Sequence, residues 1–125
     1  MSAEIGHPFY GNQWTDDRNV AASLSVKAND ATRENGNAIG YNENKEGNRF
    51  SPIRHEELAN NHKDASEAWT RTRNNRIASG EGKKGDNVDK SFASRARFHS
   101  DMEAGHRRSV EQLNAMWKRR EMKED

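Results

Sequence analysis

"HEELANNHKDASEAW" (residues 55–69) and "HSDMEAGHRRSVEQL" (residues 99–113) align position by position without a gap. His55 and His62 match His99 and His106, Glu67 matches Glu111, Leu58 meets Met102 and Lys63 meets Arg107. So short a match arises by chance in helical sequence, and its spacing is more informative than its ancestry. Steps of seven residues return to nearly the same helix face. His55, His62 and Trp69 therefore form one stripe, with Leu58, Ala65 and Thr72 beside it. Phe92, His99, His106 and Leu113 form a second, flanked by Ala96, Val110 and Trp117. Two weakly amphipathic helices joined by a loop bury such stripes against each other as an antiparallel hairpin, over about 52–79 and 88–122. Folding back near Lys84 sets His55 opposite Leu113, Leu58 opposite Val110, His62 opposite His106 and Trp69 opposite His99.

The local signals agree. Ser51-Pro52 opens the first hairpin helix, because serine caps free amides and proline fits the first turn, where its missing amide costs nothing. Glu56 and Glu57 lie early and Arg71, Arg73 and Arg76 late, as the helix dipole favours, and Gly80 supplies a left-handed stop. Upstream, Thr15 with Asp16 and Asp17 starts a shorter helix over about 16–34, with Val20, Leu24, Ala28 and Ala31 as its apolar positions. Asn35-Gly36 should end it. The Asn- and Gly-rich stretch that follows, to Phe50, reads as a flexible linker. The expected organisation is an all-α chain: an aromatic motif at 1–15, a short helix and linker at 16–50, and the hairpin at 51–125.

Composition limits what such a fold can do. Of 125 residues, 30% are hydrophobic and 33% charged, so the core is thin. The 21 basic and 20 acidic residues nearly cancel, which gives no global attraction to nucleic acid. Cysteine is absent, which excludes disulfides and thiolate metal sites. No apolar run approaches the roughly 20 residues of a membrane span. A soluble protein without a membrane partner is expected.

Candidate chemistry is sparse. His62 and His106 at one level, joined by Glu103, offer three metal ligands, and Glu103-Ala-Gly-His106 has the Glu-x-x-His spacing of carboxylate di-iron bundles. Ala59 stands where a second glutamate is needed, so the set is incomplete and no cofactor is expected. Facing histidines also suit a pH-sensitive element. A partly exposed polar seam is the reading the sequence favours. "GEGKKG" (80–85) has the GxGxxG form, but it follows a helix end instead of a β-strand, so it reads as an open, flexible connection. Arg71, Arg73, Arg76, Lys83 and Lys84 gather at the hairpin tip, where they suit phosphates or simply a solvated helix end. No nucleophile elbow or acid/base pair can be assembled, and an enzyme is not expected.

"GHPFYGNQWTDD" (6–17) concentrates three aromatics near the start of this polar chain. Pro8 holds His7 extended, Gly11 and Asn12 permit a turn, and Phe9, Tyr10 and Trp14 are rigid anchors of the kind that dominate interfaces. The same rings suit an intramolecular cover for the hairpin's apolar seam. The stretch resembles an HPFYGNQ-aromatic motif of small accessory and structural proteins of tailed bacteriophages and prophages, with Trp14 where tyrosine is expected. That resemblance implies a virion-associated or host-cytoplasmic setting. It also implies a phage or host protein as partner, bound through His7, Pro8, Phe9, Tyr10, Gly11, Asn12, Gln13 and Trp14. A homo-oligomer is compatible. The alternative is a nucleic-acid-binding or host-interfering phage protein that uses the basic tip.

Overall fold

The computed structural model describes residues 13–37 and 51–124. These form three helices, α1 (Gln13–Asn37), α2 (Pro52–Ala78) and α3 (Asn87–Glu124), with no strand among the described residues. The Ser51 hydroxyl accepts the Arg54 amide at 3.2 Å, which caps α2 ahead of Pro52. At the other end the chain leaves α2 through Gly80, whose φ of 83° lies in the left-handed region. Asp86 caps α3 by accepting the Asp89 amide at 2.8 Å.

Packing follows a heptad rhythm. Between Ser51 and Arg76, α2 buries His55, Leu58, His62, Ala65, Trp69 and Thr72 at alternating steps of three and four. In α3 the same rhythm buries Asp89, Phe92, Ala96 and His99. α2 and α3 form the expected antiparallel hairpin. α1 lies along α2 in the opposite direction, with Asp17 beside Asn75, Ser25 beside Trp69 and Thr32 beside His62. Ala21 and Ala28 face inward fully buried, and with Ala59, Ala65 and Ala68 they leave the core lined by small side chains. Trp69 stacks on Phe92 with ring centroids 5.4 Å apart, and Trp14 and Leu24 close that cluster from α1. Leu58 is the one large aliphatic side chain that is fully buried among the described residues. Full burial of such a side chain contributes about 1.5 to 3 kcal/mol. Much of the remaining interior is polar.

Several expectations need correction. The hairpin register is one heptad away from the fold-back at Lys84: His62 meets His99, His55 meets His106 and Trp69 meets Phe92. The turn is centred near Glu81, because Arg76 reaches Asp86 and Arg73 reaches Asp89 across it. The connection is therefore built, not open. Asp86 accepts the Lys83 amide and Asp89 the Gly85 amide, while a side chain at Gly82 would collide with the Arg76 guanidinium. α1 begins three residues before the expected start and runs through Asn35-Gly36, since Asn35 occupies the next inward heptad position at 5% exposure. Its inward face is Ala21, Ala28 and Asn35 with Ser25 and Thr32 between, whereas Val20 is 51% exposed. Residues 38–50, read as linker, and 1–12, which hold most of the aromatic motif, lie outside the described residues.

Candidate functional site: a buried histidine chain

Four histidines and two hydroxyls of the interior form one connected chain. The Trp69 indole N–H donates to Ser25 Oγ at 2.7 Å, and Ser25 Oγ lies 2.8 Å from His99 Nε2. His99 Nδ1 is 2.8 Å from His62 Nδ1, and His62 Nε2 is 2.9 Å from Thr32 Oγ1. Thr32 Oγ1 is also 3.3 Å from His106 Nε2, and His106 Nδ1 is 2.9 Å from His55 Nδ1. The rings of His62 and His106 stack with centroids 5.6 Å apart. His62 is wholly buried, His99 is 2% exposed and His55 8%, so these three are interior, whereas His106 is partly exposed, as the sequence suggested for the whole seam.

Counting protons limits this chain to two directions, one the reverse of the other. A neutral imidazole donates from one nitrogen and accepts at the other, and a hydroxyl donates once. Ser25 accepts the Trp69 N–H, and in one direction its hydroxyl donates to its other polar neighbour, His99 Nε2, whereas in the reverse direction it accepts there as well and every donor and acceptor below is exchanged. His99 must then donate from Nδ1 to His62, His62 from Nε2 to Thr32, Thr32 to His106 Nε2, and His106 from Nδ1 to His55. Five links thus receive one proton each, with every inner imidazole neutral. The electrostatics favour that state. Burial, together with the neighbouring His99 and His106, pushes His62 down to about 4. Burial also lowers His99, and burial with His55 nearby lowers His106.

The residues singled out as metal ligands do not converge. The Nε2 atoms of His62 and His106 both face the Thr32 hydroxyl, while the Glu103 carboxylate is held by Arg107 at 2.8 Å. Among the described residues no three His, Asp or Glu side chains gather as a metal-holding group.

At the tip, Arg73 donates to both oxygens of Asp89 at 2.9 and 3.1 Å, and Arg76 to both of Asp86 at 2.9 and 3.0 Å. These guanidinium bonds hold both carboxyls well below the usual carboxylate range. Of the five cations read as phosphate contacts, Arg73 and Arg76 are therefore committed to carboxylates, while Arg71, Lys83 and Lys84 are exposed. Trp14 turns onto this tip. Its indole donates to Glu81 at 2.8 Å, its ring tilts against Phe92 at 6.3 Å, and the Arg18 and Arg76 guanidinium groups lie over it at 5.6 and 5.7 Å. Trp14 is thus an internal anchor. Gln13 opens α1, and His7, Pro8, Phe9, Tyr10, Gly11 and Asn12 lie outside the described residues.

Sequence reasoning missed Ser25 and Thr32. Their signal was present: they alternate with Ala21, Ala28 and Asn35 at steps of four and three, a heptad written in small and polar residues. No protein family, curated protein or solved structure matches this chain. No described helix is long and apolar enough to cross a membrane.

Proposed function

We infer that this chain is a non-enzymatic protein that acts through protein–protein contacts made by its N-terminal aromatic stretch, as an accessory or virion-associated component of a tailed phage, in the virion or the host cytoplasm. The observation that carries this reading is the fastening of Trp14 to the hairpin tip by Glu81, Phe92 and Arg76. That anchor gives residues His7 to Asn12 a fixed point of departure, within about 20 Å of which Phe9 and Tyr10 must act, at no more than roughly 3.5 Å of chain per residue. The inner groups His62 and Thr32 satisfy one another and the neighbouring imidazoles inside the bundle, which is compatible with the same reading. The nucleic-acid alternative is weakened by the commitment of Arg73 and Arg76 to Asp89 and Asp86.

The test is a pull-down from phage-producing cells with the intact protein and a Phe9→Ala/Tyr10→Ala variant, in which Trp14 is kept because it holds the fold. Loss of one specific phage or host protein with the variant supports the reading. Recovery of the same proteins by both forms overturns it.

A further inference from the structure

α1 is fastened to the histidines by two uncharged side chains, Ser25 and Thr32, and three of the five links run through their hydroxyls. The titratable groups facing these hydroxyls are imidazoles: His99 from α3 at Ser25, and His62 from α2 with His106 from α3 at Thr32. On each helix a carboxylate is taken up by an arginine of the same helix. Asp30 of α1 pairs with Arg33, Glu57 of α2 with Arg54, and Glu103 of α3 with Arg107. At the Ser25 end Arg95 lies over Trp69 at 5.1 Å, which adds positive charge. An imidazolium at His62, His99 or His106 would thus face other imidazoles and a guanidinium.

The proton count sharpens this. Among the described residues the Thr32 hydroxyl reaches only His62 and His106, so its proton must occupy one of those two links. Ser25 lines a groove between α1 and α3 with Asn29, Ser94, Arg95, Phe98 and His99, which opens the end of the chain to solvent. One added proton is absorbed when Ser25 turns its hydroxyl into that groove and accepts from His99 instead. A second proton on an inner imidazole puts two hydrogens on one link, and that link must open.

We propose that the histidine chain is an acid-sensitive latch on α1, which admits one excess proton, opens at the second, and frees α1 while the α2–α3 hairpin stays closed. The hairpin persists because Arg73–Asp89 and Arg76–Asp86 tie its tip, and those carboxylates remain charged far below neutrality. The lowered basicity of His62, His99 and His106 agrees with a folded state that resists protonation. The latch does not depend on the docking role.

Hydrogen exchange on the full chain from pH 7.5 to 4.5, corrected for intrinsic exchange rates, tests it. Because the closed latch already holds the first proton, opening takes up the second alone, and its equilibrium changes by about tenfold per pH unit. The expected result is loss of α1 protection at that slope while α2 and the tip of α3 stay protected. Simultaneous loss in all three helices, an α1 that stays protected to pH 4.5, or an α1 opening equilibrium that does not change with pH would overturn the latch. His62→Gln should flatten the α1 response, and an unchanged slope in this variant counts against the proposal. Thr32→Val keeps all four imidazoles and gives an independent reading if His62→Gln does not fold. It should lower α1 protection already at pH 7.5, and wild-type protection there would contradict the latch.

Discussion

At the hairpin tip Arg73 and Arg76 meet Asp89 and Asp86 as full charges, whereas farther along the same two helices His55, His62, His99 and His106 meet one another with the inner three uncharged. Both assemblies replace hydrocarbon in a core that has little of it, and they do so by opposite means. The charged tip depends on complementary sign and two-point geometry, which survives acid and is screened in part by salt. The imidazole chain depends on each nitrogen carrying the right number of protons, which salt does not alter and acid does. The thin core explains why both are needed: with few large apolar side chains to bury, helix pairing is specified by polar groups that fit in one register only.

The largest effect should come from His62→Ala. It removes the centre of the chain, leaves His99 Nδ1 without a partner and the Thr32 hydroxyl with His106 alone, and opens a cavity. A loss of about 3 to 5 kcal/mol is expected, measured by urea unfolding at pH 7.5. A loss below about 1 kcal/mol, the scale of an ordinary surface change, would erase the distinction between the two assemblies.

Acid should have the next largest effect and should separate them. A histidine whose basicity is lowered on folding stabilises the fold fully above its unfolded value near 6.5, and that contribution is lost as pH falls toward its folded value. For His62, pushed down to about 4, the window runs from 6.5 to 4. Between pH 7.5 and 4.5 unfolding free energy should fall by roughly 2 to 3 kcal/mol from this group, at about 1.4 kcal/mol per unit. Stability that is level across this range would place the imidazoles outside the folding balance.

Trp14→Ala removes a half-buried ring from the charged tip and should cost about 2 kcal/mol without moving the acid midpoint, as thermal melts at two pH values would show. Gly82→Ala should have the smallest effect. Its new methyl displaces the Arg76 guanidinium from Asp86, for about 1 kcal/mol. A neutral or stabilising result in the same melts would mean that Arg76 relaxes without leaving its partner.

The heptad stripes of α2 and α3 were legible because His55, His62 and Trp69, and Phe92, His99 and His106, repeat at seven residues whatever their polarity. The register was not. A shift by one heptad still places stripe against stripe, and only the Asp86 and Asp89 clamps on Arg76 and Arg73 settle the choice. The buried face of α1 was hidden for a different reason. Val20 is exposed and Leu24 packs only at the edge of the core, while Ala21, Ser25, Ala28 and Thr32 carry the packing, because small residues admit close helix approach and hydroxyls can bridge imidazoles. Whether Trp14 was an external anchor or a cover for the core stayed open in the sequence, because composition alone does not tell an interface from a core.

The alternation of imidazole tautomers tests the central claim most directly. Long-range proton–nitrogen correlation spectra at pH 7.5 distinguish Nδ1–H from Nε2–H rings. The chain requires alternating neutral tautomers, either Nδ1–H at His99 and His106 with Nε2–H at His62, or Nε2–H at His99 and His106 with Nδ1–H at His62. The same tautomer at His62 and His99, or an imidazolium among the inner three at that pH, would contradict it.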